Sequence, residues 1–190
     1  MLTGWRKNRL RKTALERRAK ASRAMPDAGH ALMTNYPDAA WPAVHAVVAG
    51  YRAVRGEIDP APLMETFLLE QALLALPVVA EKNAPLQFRA YAPGDALETG
   101  AFGIEVPEPR KPLVTPSLVL VPLVAFDSQC HRLGYGGGYY DRTLAALKAQ
   151  GQVIAVGLAF EAQKVSRLPS GAHDVALDYV VTEAACYRAQ

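Results

Sequence analysis

The spacing of apolar positions along this 190-residue chain changes several times, and each change predicts an element. From Arg6 to about Met25 the chain is rich in Ala, Leu, Lys and Arg and free of Pro and Gly, which predicts a helix ended by Pro26. A second helix is predicted from about Asp27 to Tyr36. VHAVVAGY (44–51) is a continuous valine-rich run, the pattern of a strand buried on both faces. In IDPAPLMETFLLEQALLA, Asp59 is placed to cap a helix and Pro60 to open it. Helical spacing puts Leu63, Met64, Phe67, Leu68 and Leu74 on one face of that helix. LPVVA (76–80) and LQFRAY (86–91) read as strands around a polar turn. Residues 92–116 hold five prolines and three glycines with little periodicity, which predicts a long irregular excursion. LVLVPLVAF (118–126) is a further buried strand. YYDRTLAALKAQG then reads as a helix with Tyr140, Leu144 and Leu147 on one face and Gly151 as its stop. QVIAVGLAF (152–160) and LDYVVT (177–182) are the last two strands predicted.

Strands alternating with helices imply an α/β fold: a single domain over residues 1–190, three-layer α/β/α (Rossmann-like), with a mostly parallel sheet and an N-terminal basic helix. In such sheets ligands sit at the carboxyl ends of the strands. Three segments fall there: YRAVRGE after the first strand, DSQCHRLGYGGG after LVLVPLVAF, and EAQKVSRLPSGAHD after QVIAVGLAF.

Composition narrows the class. A 51% hydrophobic and 21% charged content describes a globular chain with a sizeable core. No apolar run approaches the roughly 20 residues needed to cross a bilayer, and the basic N-terminus lacks the apolar segment of a secretory signal. Two cysteines, Cys130 and Cys186, offer no disulfide framework and fit a reducing cytoplasm. The net charge of +3 is uneven, because residues 1–25 carry +8 and the remaining 165 residues carry −5. That asymmetry fits a solvated helix face, or a site for nucleic acid or for ligand phosphates.

RLGYGGGYYDR (132–142) packs four glycines into five residues between a strand and a helix. Glycines let a phosphate approach the backbone, and a helix N-terminus presents unpaired N–H groups. The segment lacks the Gly-Lys-Ser/Thr of a Walker loop, and Tyr139 stands where a dinucleotide fingerprint needs its third glycine. A tight turn explains the glycines equally well. Arg132 suits a phosphate by its bidentate fork, and Tyr135 and Tyr139 offer flat faces to a ring. Asp141 fits either helix stabilisation or Mg²⁺ ligation. Asp174 and His173 read as turn residues or site residues, and Glu57 as a loop carboxylate. No Ser/His/Asp triad, Cys–His pair or multi-His metal site stands out.

Taken together, LVPLVAFDSQCHRLGYGGGYYDRTL resembles the signature of the 5-formyltetrahydrofolate cyclo-ligase (5,10-methenyltetrahydrofolate synthetase) family. KNRLR (7–11), GEID (56–59), FGIEVPEP (102–109) and LPSGAHDVALDYVVTE (168–183) extend the likeness over nearly the whole chain. The resemblance implies ATP-driven cyclisation of 5-formyltetrahydrofolate, through phosphorylation of the formyl oxygen and attack by N10, with release of ADP and phosphate. By matching position it implies that Lys7, Arg11, Arg132 and the loop Gly134, Tyr135, Gly136, Gly137, Gly138, Tyr139 and Tyr140 bind ATP. Glu57, Arg52 and residues Tyr135 to Tyr139 would face the folate, Arg132 and Tyr139 would act in catalysis, and Asp141 and Asp174 would hold Mg²⁺. The substrate would be 5-formyltetrahydrofolate with or without a polyglutamate tail. The protein would be a cytoplasmic monomer with no membrane or nucleic-acid partner, the alternative being a non-catalytic RNA- or nucleotide-binding module. The chain departs from the family pattern at Gly137, where some members carry Lys. It departs also at Gly171–Ala172, which replace a Glu-containing pair, and at Gly56, where an acid often precedes the glutamate.

Overall fold

The structure is a computed structural model, and it describes residues 2–169, 171 and 174–189. His173 therefore lies outside the described residues. The chain opens with α1 (Leu2–Ala24), α2 (Ala28–Asn35) and a 3₁₀ turn, followed by β1 (Val47–Ala49) and α3 (Ala61–Leu69). Then come β2 (Leu73–Val78), β3 (Gln87–Tyr91), β4 (Leu97–Thr99), β5 (Glu105–Pro107), β6 (Leu118–Pro122), β7 (Ala125–Phe126) and β8 (Arg132–Leu133). The chain ends with α4 (Tyr139–Gln150), β9 (Ile154–Leu158), β10 (Tyr179–Val181) and β11 (Cys186–Arg188).

Seven strands form the central sheet in the order β11-β10-β9-β6-β1-β2-β3. The five inner strands run parallel, and β3 and β11 close the edges antiparallel. Strand order reverses between β1 and β6, so their carboxyl ends splay apart and leave a crevice.

The run of apolar residues in each strand serves two faces, as strand geometry requires. Val48, Leu74, Leu118, Leu120, Val156 and Val181 pack with Leu32, Leu63, Met64 and Phe67 of α2 and α3. Their neighbours Ala49, Ala75, Val119, Val121, Ala155 and Val180 pack on the opposite side with Leu144 and Leu147 of α4. The three layers follow from that alternation. α1 is mostly polar and buries a narrow stripe of Ala14, Arg18 and Ala21. It covers the β7–β8 hairpin through Ala14, Leu10, Val124, Ala125 and Leu133.

Several sequence expectations are corrected, beginning with VHAVVAGY: only Val47–Ala49 of it is strand, Val44 is 61% exposed and His45 takes a positive φ of 62°. The third helix stops at Leu69, Gln71 takes a positive φ of 65°, and Leu74 belongs to β2 instead of the helical face. Leu68 is not part of the buried face either, being 37% exposed. The helix begins one residue later than expected, with Pro60 as its N-cap and Ala61 first, although Asp59 Oδ1 still accepts the Ala61 N–H at 3.0 Å. The run 118–126 is not one strand: it leaves the sheet after Pro122, and Ala125–Phe126 pairs instead with Arg132–Leu133. The proline-rich excursion contains a small hairpin, β4 against β5, with Phe102 at its tip. The edge strand β11 was not expected at all; CYR has neither length nor alternation to mark it.

Candidate active site

A cleft of about 1060 Å³ opens at the carboxyl ends of β1, β2 and β6. Its walls are the 51–57 loop after β1, the tip of the β4–β5 hairpin, the start of α1, the 132–142 segment and Asp174–Val175. All the residues singled out in the sequence except His173 line it: Lys7, Arg11, Arg52, Glu57, Arg132, Gly134 to Tyr140, Asp141 and Asp174.

The glycine segment forms the floor between β8 and α4. Gly136 and Gly138 have φ of 104° and 66°, a region that costs L-residues energy and glycine almost none. Gly138 is the N-cap of α4, so the first N–H groups of that helix, in residues that line the cleft, have no intrahelical acceptor. Arg11 reaches from α1 to donate to the Gly134 carbonyl at 2.8 Å. Arg142 reaches from α4 to donate to the Gly137 carbonyl at 2.8 Å.

Arg132 is nearly buried and bridges two walls. Its guanidinium donates to Asp141 Oδ1 at 2.6 Å and to the Val175 carbonyl, while the Val175 N–H donates to the same Asp141 oxygen at 3.2 Å. Burial pulls the Arg132 pKa down, and the neighbouring Asp141 and Asp174 oppose that pull. Asp174 accepts from Lys7 Nζ at 2.6 Å and from the Gly171 N–H at 2.8 Å, both at Oδ2. Burial raises the Asp174 pKa, but these two hydrogen bonds outweigh it and hold the carboxyl below its usual range.

Asp141 and Asp174 thus each commit one oxygen to protein donors. Among the described residues no donor reaches Asp141 Oδ2 or Asp174 Oδ1. Two carboxylate oxygens without protein donors, both on residues lining the cleft, could serve a hard cation that keeps most of its own water. No cluster of three or more metal-ligating side chains occurs among the described residues.

At the other end of the cleft, Glu57 lies in a network that the sequence did not reveal. Arg18, expected only as one of many helix cations, is 1% exposed and reaches to 3.7 Å from Glu57 Oε1. It also donates to the Arg55 carbonyl and to the Tyr135 hydroxyl, which in turn donates to Glu57 Oε1 at 3.0 Å. The Val54 N–H donates to Glu57 Oε2 at 3.0 Å. Burial nevertheless raises the Glu57 pKa, and Val54, Arg18 and Tyr135 only partly offset it. Arg52 lines the same end but pairs with Glu105 at 3.0 Å in a half-exposed position.

Phe102 and Arg142 were also missed as lining residues. Phe102 stands edge-on to Tyr139 with ring centroids 6.0 Å apart. Its aromatic character inside a Pro/Gly-rich stretch was the available signal. Asp127, part of the signature, faces away from the chemistry. It is 2% exposed and accepts from the N–H groups of Gln129, His131 and Leu168, so it ties the β7–β8 hairpin to the segment leading to Asp174.

Strand order and the switch-point crevice define an α/β protein whose cleft lies where sheets of this kind take their ligands. The comparisons make the class specific: the chain belongs to the 5-formyltetrahydrofolate cyclo-ligase family, whose profile matches residues 4–183. It is an enzyme of the cyclo-ligase type. It is 36% identical over 156 residues to the 5-formyltetrahydrofolate cyclo-ligase of Escherichia coli K12, covering 79% of this chain and 83% of that one. Against the Mycolicibacterium smegmatis enzyme of the same name identity is 38% over 143 residues, covering 71% and 72%. The solved structure of Aquifex aeolicus 5,10-methenyltetrahydrofolate synthetase superposes with a TM-score of 0.74 at 32% identity, over 96% of this chain and 92% of that one.

Proposed function

We propose that the chain, acting as one catalytic domain, converts 5-formyltetrahydrofolate to 5,10-methenyltetrahydrofolate with consumption of ATP and release of ADP and phosphate. The observation that carries this reading is the two-ended cleft. One end offers cations, bare backbone and a helix N-terminus, which suit a triphosphate. The other offers a buried carboxylate flanked by a tyrosine and arginines, which suits the adjacent N–H and amino donors of a pterin.

The formyl oxygen is a poor leaving group, and phosphorylation changes that. The oxygen attacks the γ-phosphorus as the bond to the ADP oxygen breaks, giving a formyl phosphate. The N10 lone pair then closes on the formyl carbon. Phosphate departs with the former formyl oxygen, and the N10 proton is lost, leaving the methenyl bridge. Catalysis of this kind is largely positioning and charge stabilisation. Lys7, Arg11 and Arg132 contribute positive charge where the phosphoryl group moves, and the Gly134–Tyr140 backbone contributes N–H donors. Arg132, held by Asp141 and Val175, is pre-set in orientation, so little reorganisation is required when charge develops. Tyr135 and Tyr139 present ring faces to the folate, Glu57 accepts from the pterin, and Arg52 lies nearby. Mg²⁺ held by Asp141 and Asp174 would draw charge from the phosphate oxygens.

The alternative, an RNA-binding module using the basic N-terminus, loses support from the direction of its cations. Lys7, Arg11 and Arg18 turn inward to Asp174, Gly134 and Glu57. Among the described residues no helix is long and apolar enough to cross a membrane. A monomer acting in the cytoplasm on free or polyglutamylated substrate completes the reading. The test is the growth of methenyltetrahydrofolate absorbance from 5-formyltetrahydrofolate. Absorbance is expected to rise with Mg²⁺ and ATP and to stay flat without ATP. Folded protein inactive under both conditions defeats the proposal.

A further inference from the structure

The glycine floor carries no cation of its own, yet it is gripped from two sides by guanidinium groups. Arg11 lies on one side, donating to the Gly134 carbonyl, with its Nη2 3.5 Å from where a Cβ on Gly136 would stand. Arg142 lies on the other. From the first turn of α4 it folds back over the helix terminus, donates to the Gly137 carbonyl at 2.8 Å, and stacks at 5.1 Å on the Tyr139 ring. A Cβ on Gly138 would meet its Nη1 at 2.8 Å, so the guanidinium fills the space that the missing side chain leaves.

Charge accounting sets Arg142 apart from most other cations of the cleft. Lys7 is paired with Asp174, Arg52 with Glu105 and Arg132 with Asp141. Among the described residues, Arg142 has carbonyl partners only, Gly137 and, at 3.4 Å, Ala84. Asp141, its neighbour in sequence, is turned to Arg132 instead. A guanidinium held only by neutral acceptors has no carboxylate beside it to offset its charge, and its flat fork suits phosphate oxygens. It stands beside the N–H groups of the α4 terminus, whose partial positive charge adds to its own.

We propose that Arg142 is a phosphate-binding residue of this cleft, closing with Arg11 a two-sided guanidinium clamp over the glycine floor, and that it holds the terminal phosphates of the bound nucleoside triphosphate. The inference rests on the reading of the cleft as an ATP site and deepens it. It also accounts for Gly137: the positive charge that the loop itself lacks arrives from the following helix.

Equilibrium binding of AMP, ADP and ATP to wild type, Arg142→Ala and Arg142→Lys, alongside thermal unfolding of each, tests this. Arg142→Ala is expected to weaken ATP binding by about tenfold or more, the range of a charged hydrogen bond, to weaken ADP less, and to leave AMP unchanged. Arg142→Lys recovers part of the ATP loss. Equal loss for AMP and ATP, or wild-type ATP affinity in folded Arg142→Ala, overturns the clamp while leaving the ATP reading intact. A folded wild type that binds none of the three nucleotides overturns both. If Arg142→Ala fails to fold, Arg142→Gln, which keeps the stem and a donor, is expected to show the same graded loss, and its absence there is equally fatal.

Discussion

Lys7 Nζ and Asp174 Oδ2 lie 2.6 Å apart, joining residues separated by 167 positions and closing one wall of the cleft. A cation proposed for phosphate is thereby held against a carboxylate proposed for metal, and the contact fixes both side chains in the cleft wall. Half-exposed pairs of this kind contribute about 0–1 kcal/mol to stability, and their value here is preorganisation. Asp174→Asn is therefore expected to unfold at nearly the wild-type temperature. Its apparent requirement for Mg²⁺ should rise by at least the roughly 10–100-fold that weaker, indirect metal partners cost. Titrating activity against Mg²⁺ at saturating ATP checks this; an unmoved curve removes Asp174 from the metal site.

The glycines of the floor are not equivalent. A Cβ on Gly134 meets nothing within 4 Å, and its backbone is ordinary. Gly138 has φ 66° and a Cβ there collides with Arg142. Gly138→Ala is expected to cost roughly 1–2 kcal/mol from the left-handed conformation alone, whereas Gly134→Ala should stay within about 0.5 kcal/mol of wild type. Urea unfolding midpoints of the two variants separate the cases. Equal losses show that the floor does not depend on the positive φ at its helix end.

What the sequence revealed and what it hid follow a physical pattern. The parallel core strands were legible in existence, though not in extent, because burial on both faces demands apolar runs such as the Val47–Ala49 part of VHAVVAGY and the Leu118–Pro122 part of LVLVPLVAF. The same property hid their ends: nothing in LVLVPLVAF marks that Leu123 leaves the sheet, because Val124 to Phe126 are as buried outside it as inside. Leu74 fitted the helical period of α3 as well as the strand it occupies, and only the left-handed turn at Gln71 separates them. In the site, glycines and charges near strand ends were legible by position. Arg18 was not, because one buried arginine among nine N-terminal cations has no local signature. Its partner Glu57 is 39 residues away by numbering and meets it only through the sheet.

Phe102 sits at the tip of the β4–β5 hairpin with φ 62°, 65% exposed, and edge-on to Tyr139. An aromatic side chain held in solvent at an unfavourable φ fits a ring ligand better than it fits the ligand-free fold. Phe102→Ala is expected to raise the KM for 5-formyltetrahydrofolate by about 2–10-fold, the range of one aromatic contact, with the KM for ATP unchanged. Phe102→Gly should raise the KM likewise but unfold no earlier than wild type, since glycine adopts the positive φ freely. Steady-state kinetics with each substrate varied in turn decide the matter. A rise confined to ATP contradicts this placement of the folate.

Arg18 and Glu57 lie 3.7 Å apart and both are nearly inaccessible. Removing one partner of a buried pair strands the other and costs about 3–5 kcal/mol, while replacing both by neutral residues of similar size recovers much of that loss. Arg18→Met is therefore expected to be severely destabilised and Arg18→Met/Glu57→Gln distinctly less so. Burial raises the Glu57 pKa above its ordinary 4.5, despite the help of Val54, Arg18 and Tyr135. The folded protein accordingly keeps this proton to higher pH than the unfolded chain does. Between the unfolded and folded pKa values the native state binds more protons, so stability contributed by Glu57 is present at low pH and falls as pH rises through that window. Glu57→Gln has no such proton to lose. The difference in unfolding free energy, wild type minus Glu57→Gln, is expected to decline as pH climbs from about 4.5 and to level off once the folded-state carboxyl has ionised. Denaturation at a series of pH values measures it. A difference that grows with pH instead means that Arg18 and the two hydrogen bonds, rather than burial, govern the ionisation of Glu57.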